Sequence, residues 1–141
     1  LAGAVGFAVA LERAERERVQ RSERTAALRD AFIARVLTSV PEARLTGDRE
    51  HRLPGTASFT FAGVSGEAVL LELERRGVVS SSGSACAAGS DEPSHVLLAL
   101  GIPAEVARTA VRFTFGHSID LDPQPVADAV AAAVGAVRST G

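Results

Sequence analysis

Apolar residues follow helical spacing in some parts of the chain and alternate with small or polar residues in others. Residues 1 to about 38 contain no proline and few glycines. They are rich in Ala, Leu, Glu and Arg, which favour a helix. Leu28, Phe32 and Val36 recur every four residues, as expected for one buried helical face. The pattern predicts a long N-terminal helix that ends at Pro41.

The first half of this predicted helix consists of an apolar segment followed by a polar one. We interpret the opening LAGAVGFAVA as the buried start of the helix, because it is apolar but too short to span a bilayer. Gly3 and Gly6 resemble a phosphate loop only superficially, since no strand precedes them, and close helix packing is the preferred explanation. The next segment, ERAERERVQRSER, is polar nearly all round and predicts a solvated stretch with many i,i+4 ion pairs.

Strands are expected where large and small residues alternate. Residues 43–46 predict a short strand, and Thr56–Phe61 predict a half-buried one. Residues 111–115 alternate again and predict a third strand. The brief segment 78–80 is β-prone and could add a fourth.

The remaining helices are marked by capping residues and prolines. Ser65 caps a predicted helix at residues 66–76 and Gly77 ends it. Pro93 and Pro103 open two short helices, and Asp122 with the following proline starts the last one. The order predicts an α+β fold in which a small sheet of about three to four strands is covered mainly on one side, in a single domain spanning residues 1–141.

Composition narrows the function classes. The chain has 141 residues and a net charge of −2, so we expect neither a nucleic acid nor a membrane as a partner. A single cysteine permits no internal disulfide and suits a reducing, cytoplasmic setting. All 15 residues counted as Lys or Arg are arginines, so no side-chain amine of this chain can form a Schiff base.

The only cysteine, Cys86, lies in the run SSSGSACAAGS. Serine, glycine and alanine have little to bury, so we predict a mobile loop that suits delivery of a thiol better than packing. The loop residues that we single out beside the cysteine are Ser82, Gly83, Ser84, Ala85 and Gly89.

Two chemistries compete for this cysteine. A hydrolase-like pair would need a histidine to activate the thiolate, and His51, His95 and His117 are the candidates. A sulfur relay would need the thiolate to attack a substrate sulfur and then meet an acceptor, which requires mobility. The composition of the loop favours the relay, because a nucleophile on a flexible loop suits acyl transfer poorly.

The stretches SSGSACAAGSDEPSHVLLALGI and VRFTFG resemble the C-terminal part of cysteine desulfurases, which are pyridoxal-phosphate enzymes of the class-V aminotransferase group. The long loop with SSGSAC is similar to the subgroup that supplies sulfur for iron–sulfur clusters and tRNA thiolation. The likeness extends over the whole chain, through LAGAVGFAVALE and LPGTASFTFAGVSGEAVLLELERRGV.

The resemblance implies specific roles and partners. Cys86 would be the nucleophile that takes sulfur from L-cysteine, leaving L-alanine and an enzyme persulfide, and Arg112 would hold the substrate carboxylate. A bidentate guanidinium suits that task, although a structural salt bridge on an edge strand is the alternative for Arg112. A sulfur-acceptor or scaffold protein and a homodimeric complete enzyme are also implied.

The chain also departs from the family. The cofactor-binding part, including the Schiff-base lysine, is expected upstream, so this sequence resembles the small C-terminal domain of a fold-type I pyridoxal-phosphate enzyme whose large domain is absent. We therefore expect no cofactor-binding residue, no metal site, no bound pyridoxal phosphate and no activity for the isolated chain. A non-enzymatic sulfur-carrier or scaffold-docking module remains the alternative.

Overall fold

The computed structural model describes residues 1–82, 92–116 and 121–140. Cys86 and the loop positions Gly83, Ser84, Ala85 and Gly89 lie outside the described residues, as does His117, so the predicted mobility of the loop remains a prediction. In chain order, the elements are α1 (Ala2–Ser39), β1 (Ala43–Leu45), β2 (Thr56–Phe61), α2 (Gly66–Arg75), α3 (His95–Ala99), α4 (Ala104–Ala107), β3 (Ala110–Thr114) and α5 (Pro123–Thr140).

The three strands form one antiparallel sheet in the order β1-β2-β3. Ala43 of β1 pairs with Phe61 of β2, and Ser58 of β2 pairs with Arg112 of β3. The β-prone segment 78–80 is not a strand. It leads instead to a single antiparallel bridge between Ser81 and Arg112, so the described sheet has three strands and one extra bridge.

The main core lies between one face of the sheet and the helices α1, α2 and α5. Alternation along the strands places phenylalanines on this face, and Phe32 of α1 lies among them, with ring centroids 5.9 Å from Phe59, 5.0 Å from Phe113 and 5.1 Å from Phe115. Phe32, Phe59 and the other rings of this cluster are buried. Edge-to-face contacts of this kind add to the stabilisation that comes from burial.

The other face of the sheet is only partly covered. A small second cluster of Leu97, Ala107 and Ala110 joins α3 and α4 to one end of β3. The prediction of a sheet covered mainly on one side is therefore confirmed for the described residues. The consequence is that polar residues on the second face, beyond this cluster, can face a ligand or another protein.

The predicted helix boundaries agree with the capping contacts. The Ser65 side chain accepts a hydrogen bond from the Ala68 amide at 3.4 Å, and Gly77 has a φ of 76°, which glycine adopts without strain. The Asp122 side chain accepts from the Gln124 amide at 2.9 Å, with Pro123 as the first residue of α5. These caps confirm the predictions for α2 and α5.

The N-terminal part of α1 corrects the sequence interpretation. The segment LAGAVGFAVA is helical but exposed, and Phe7 is 70% exposed. Added Cβ atoms at Gly3 and Gly6 would meet nothing within 4 Å, so the expected close packing is wrong. The physical reason is that the buried residues of α1 begin only at Thr25, beyond which the helix lies against the sheet and α5.

The polar middle of α1 agrees with its prediction. Arg13 pairs with Glu17 at 3.0 Å and Arg18 with Glu15 at 2.9 Å, and a further pair joins Arg21 to Glu17. Such exposed pairs contribute little individually. Among the residues that the structure describes, no helix is both long enough and apolar enough to cross a membrane.

Candidate functional site

Arg112 occupies the centre of β3, on the face opposite the phenylalanine core. Its strand neighbours Val111 and Phe113 are buried in the core, so alternation directs Arg112 to the partly covered face. On that face its cross-strand neighbours are Ser58 on β2 and Ser81 beyond the edge of β3. The arginine is therefore bracketed by two small hydroxyl residues.

Ser81 is held to Arg112 by a pair of backbone hydrogen bonds. The Ser81 amide donates to the Arg112 carbonyl at 3.0 Å, and the Arg112 amide donates to the Ser81 carbonyl at 2.7 Å. Ser82, the first residue of the predicted loop, is half-buried. The chain thus enters the segment that carries Cys86 from a point that is fixed to the candidate substrate-binding arginine.

The guanidinium of Arg112 makes no hydrogen bond or ion pair with other residues in the described ranges. Two other shielded arginines behave differently: Arg29 donates to the Leu53 carbonyl at 3.0 Å, and Arg52 donates to the Asp48 carbonyl at 2.7 Å. Within the described ranges, the structural salt bridge considered for Arg112 is not present. A half-buried guanidinium that has no partner in the described ranges has its donors available for an anionic ligand.

The serine before this bridge has unusual surroundings. The Ser80 hydroxyl is buried and has no hydrogen-bond partner among the described residues. A buried hydroxyl without a partner is normally costly, and here it lies immediately before the bridge.

The described histidines do not form a catalytic pair with each other. His51 Nδ1 lies 3.3 Å from the Asp48 carboxylate in the β1–β2 connection, and hydrogen bonds from the His51 and Glu50 amides lower the pKa of Asp48. His95 is exposed at the first position of α3. Because Cys86 and His117 lie outside the described residues, the hydrolase alternative is not tested by these positions.

The donor set of this chain does not suit covalent binding of pyridoxal phosphate. The sequence contains no lysine, so it cannot supply the amine of a Schiff base. Among the described residues, no group of three His, Cys, Asp or Glu side chains could hold a metal ion. Covalent attachment of pyridoxal phosphate therefore requires a lysine from outside this chain.

One open cleft lies away from Arg112. It has a volume of about 300 Å³ and is lined by residues of α1 and by Gly55 and Phe115. Its two arginines, Arg18 and Arg21, already pair with glutamates of α1. This compensation makes it a weaker anion site than the face around Arg112.

Sequence reasoning singled out Arg112 but missed its two serine neighbours. Ser58 could have been found from strand alternation. It lies one position from Phe59 and three from Phe61, so its side chain belongs to the face opposite the core. Ser81 could not have been found this way, because a single bridge outside a strand leaves no periodic signal.

Comparison with known proteins identifies the family. The family model for class-V aminotransferases matches residues 1–122, and the chain belongs to this family. It is 45% identical to cysteine desulfurase IscS of Dictyoglomus turgidum over 116 residues, which are 82% of this chain and 29% of that protein. It is 46% identical to cysteine desulfurase NifS of Azotobacter vinelandii over 116 residues, again 82% of this chain and 29% of that protein.

The fold comparison agrees with these relatives. The NifS-like protein from Rickettsia africae superposes with a TM-score of 0.63 at 20% identity, covering 84% of this chain and 29% of that chain. This likeness confirms the α+β architecture that the resemblance to fold-type I enzymes implied. The chain spans 23% to 36% of the length of the curated relatives compared with it.

Proposed function

We propose that this chain is the C-terminal small domain of a pyridoxal-phosphate-dependent cysteine desulfurase, in which Cys86 accepts sulfur from L-cysteine. The observation that carries the proposal is the position of Arg112 beside the bridge to Ser81, with a guanidinium that has no hydrogen-bond or ion-pair partner among the described residues. Ser81 lies five positions before Cys86 in the sequence, so the Cα atoms of these two residues are at most about 18 Å apart. This tether length allows the thiol to approach a substrate whose carboxylate is held by Arg112.

The proposed transfer uses the thiolate of Cys86 as the nucleophile. It attacks the sulfur of L-cysteine, a new S–S bond forms, and the substrate C–S bond breaks. The electron pair of that bond stays on the substrate carbon, which takes a proton to become the methyl group of L-alanine. The sulfur remains on the enzyme as a persulfide and passes to an acceptor thiolate.

The carboxylate end of L-cysteine would be fixed by Arg112. A planar guanidinium can donate two parallel hydrogen bonds to the two carboxylate oxygens, which orients the substrate as well as binding it. The position of Arg112 on a strand makes this contact more rigid than a contact from a loop. Its lack of a carboxylate partner in the described ranges leaves those donors available.

The cofactor would be held by polypeptide outside these 141 residues, since this chain offers no lysine. In the complete enzyme we propose a large cofactor domain, a homodimer, a cytoplasmic setting and a sulfur-acceptor or scaffold protein that serves iron–sulfur cluster assembly or tRNA thiolation. The cysteine desulfurases IscS and NifS among the relatives support the class of reaction. The isolated chain is then expected to bind no pyridoxal phosphate and to produce no alanine.

The experiment is a turnover assay on the complete enzyme that contains this chain, with L-cysteine as substrate and alanine as the measured product. We expect Cys86→Ala to abolish sustained alanine formation while leaving the absorbance of the bound cofactor unchanged. Val79→Ala, at an exposed position seven residues before Cys86, is the control and should turn over normally. Retained turnover in Cys86→Ala would refute the role of the thiol.

A second assay separates the enzyme from a carrier module. The 141-residue chain is incubated with pyridoxal phosphate and L-cysteine, and the complete enzyme is treated in parallel. We expect alanine only from the complete enzyme. If the gene encodes no cofactor domain and the chain still accepts sulfur from another protein, the sulfur-carrier alternative replaces the enzyme.

A further inference from the structure

Residues 1–11, at the start of α1, form an apolar surface that no described residue covers. The segment LAGAVGFAVAL contains no charged or polar side chain, and it is helical from Ala2 onward. All of its residues are exposed, and the large side chains of Val5, Phe7, Val9 and Leu11 are 58% to 70% exposed. Contiguous exposed apolar surface of this kind marks an interaction site.

Large and small residues of this segment are sorted around the helix. Residues four apart lie on the same side of a helix, so Val5 and Val9 form one apolar side. Phe7 and Leu11 form a second side, about 200° away, because two positions separate Val5 from Phe7. One of the two surfaces between these sides consists only of small residues, which are Ala2, Gly3, Gly6 and Ala10. The segment is therefore apolar on opposite sides, with a shallow groove between two rows of larger residues.

The two glycines in this groove have open space above them. An added Cβ at Gly3 or Gly6 would meet nothing within 4 Å. Glycine in a helix interior is less favourable than alanine, and no contact with the described residues requires glycine at position 6. A glycine does, however, allow the backbone of another helix to approach more closely than alanine would. The groove therefore fits a closely packed partner helix.

A lipid bilayer fits this segment poorly. A membrane-spanning helix needs about 20 apolar residues, whereas here Glu12 and Arg13 follow directly after Leu11. A helix that lies in the membrane interface needs a charged face opposite its apolar face, and this segment is apolar on both sides. Its surface therefore fits protein better than lipid.

The same segment of a second copy would also cover too little of this surface. A single helix covers a stripe about 100° wide, so it could bury the side of Val5 or the side of Phe7 but not both. A helix that is apolar all round is typical of the interior of a larger protein. The chain spans only 23% to 36% of the length of the curated relatives, and the complete enzyme proposed above contains a large cofactor domain that could enclose the helix.

We infer that residues 1–11 are an interface for the cofactor-binding polypeptide of the complete enzyme, which encloses this segment on both sides and places a helix against Gly6. This inference rests on the proposed function, because that polypeptide belongs to the enzyme proposed above. Farther along the same helix, Phe32 packs against Phe113 in the core. α1 is then one continuous helix shared by two parts of the enzyme, with its buried residues in the present core beginning at Thr25.

Thiol labelling of the complete, cofactor-loaded enzyme tests the burial. Val5→Cys and Phe7→Cys place a thiol on each side of the segment, and Gln20→Cys places a control thiol at an exposed position farther along α1. In the folded enzyme we expect alkylation at positions 5 and 7, read from peptide masses, to be at least about tenfold slower than at position 20. In concentrated urea the three thiols should react at the same rate. Alkylation of the folded enzyme at position 5 or 7 as fast as at position 20 would overturn the inference.

A photoreactive phenylalanine analogue at position 7 of the complete enzyme identifies what covers the segment. We expect its cross-link on a peptide that lies outside these 141 residues. A cross-link on a peptide from within the 141 residues would show that a second copy covers the segment, and it would contradict the inference.

The thermal midpoint of Gly6→Ala in the complete enzyme tests the close approach by its sign. In open space the added methyl group would stabilise the helix and raise the midpoint. With a partner helix against Gly6 we expect the midpoint to fall by about 2 °C or more, because of overpacking. Gly135→Ala, whose added Cβ also meets nothing within 4 Å, is the matched control and should not lower the midpoint. A higher midpoint for Gly6→Ala would show that no helix is packed against this glycine.

These measurements separate the interface from the proposed reaction. Retained turnover in Cys86→Ala would refute the role of the thiol, but it would leave the alkylation rates and the cross-link unchanged. Rapid alkylation at positions 5 and 7, in an enzyme that loses turnover in Cys86→Ala, would overturn only the interface.

Discussion

Arg112 differs from the other shielded arginines in what its guanidinium contacts within the described residues. Arg29 and Arg52 are also shielded from water, but their guanidinium groups donate to backbone carbonyls and fasten the β1–β2 connection. Arg112 has no such acceptor among the described residues, although its backbone is fully used by the bridge to Ser81. Its side chain is therefore free to serve a ligand.

Replacement of Arg112 should affect ligand binding much more than folding. In the complete enzyme we expect Arg112→Gln to raise the KM for L-cysteine by at least about tenfold, the equivalent of one lost hydrogen bond to a charged group. Arg112→Lys should recover part of the lost affinity, because lysine restores the positive charge but not the two parallel hydrogen bonds of a guanidinium. Steady-state kinetics and urea unfolding together test this, and a loss of stability with an unchanged KM would contradict it.

Two glycines provide a residue-level test of the packing. At Gly66 an added Cβ would lie 2.8 Å from the carbonyl oxygens of Ala110 and Arg108, whereas at Gly135 it would meet nothing within 4 Å. We expect Gly66→Ala to destabilise by about 2 kcal/mol through overpacking against backbone. Gly135→Ala should stabilise by about 0.5–1 kcal/mol, as expected for an exposed helix interior.

Urea unfolding at neutral pH measures both glycine variants. Gly135→Ala also controls for any general effect of the added methyl group. If the two variants shifted the unfolding midpoint in the same direction, the close approach of α2 to β3 at Gly66 would be wrong.

At the scale of elements, sequence reasoning was most successful where a periodic signal was long. The lack of breakers predicted α1, and the large-to-small alternation predicted β2 and β3 to within one residue at each end. Capping residues located the starts of α2 and α5, because a capping hydrogen bond involves only residues that are close in the sequence. The segment 78–80 was harder, because three β-prone residues cannot reveal whether a neighbouring strand is available for pairing.

The ion pair between Glu42, the residue before β1, and Arg138 of α5 predicts a dependence of stability on pH. Arg138 donates to the Glu42 carboxylate at 2.8 Å, and this hydrogen bond lowers the pKa of Glu42 below its usual value of 4.5. Because the pKa is lower in the folded state, the ion pair stabilises the fold above the unfolded pKa and is lost as pH falls through the folded pKa.

We therefore expect Glu42→Gln to lose less stability than the unaltered chain when the pH falls from neutral into the acid range. The difference should be small and should shrink in high salt, because both partners are exposed. Urea midpoints across the pH range measure it, with Glu67→Gln, at an exposed site on α2, as the control. A larger acid loss in Glu42→Gln than in the unaltered chain would contradict the sign.

At the scale of the whole molecule, α1 has an exposed N-terminal part and a C-terminal part that packs against the core. Its 38 residues extend for about 57 Å, yet its buried residues begin at Thr25. The apolar residues near its start are exposed, and composition alone could not distinguish an apolar segment that packs within the chain from one that does not. The pattern of apolar residues predicts which residues prefer burial, but not where a surface to bury them exists.

Removal of residues 1–11 tests this division directly. Since none of these residues is buried, we expect the shortened chain to unfold at nearly the same urea concentration as the unaltered chain. Replacement of Phe32 by alanine, in the part of α1 that packs against the sheet, should instead cost about 3–5 kcal/mol. A truncation as damaging as Phe32→Ala would mean that the first turns of α1 support the core.

The most direct test of sulfur transfer to Cys86 is the mass of the peptide that contains it during turnover. The complete enzyme is mixed with L-cysteine in the absence of an acceptor, quenched with an alkylating agent, and its peptides are analysed by mass spectrometry. We expect one extra sulfur atom on the peptide that contains Cys86, removable by a thiol reductant and formed in step with the first equivalent of alanine. Alanine formed in that first turnover without any extra sulfur on Cys86 would contradict sulfur transfer to this residue.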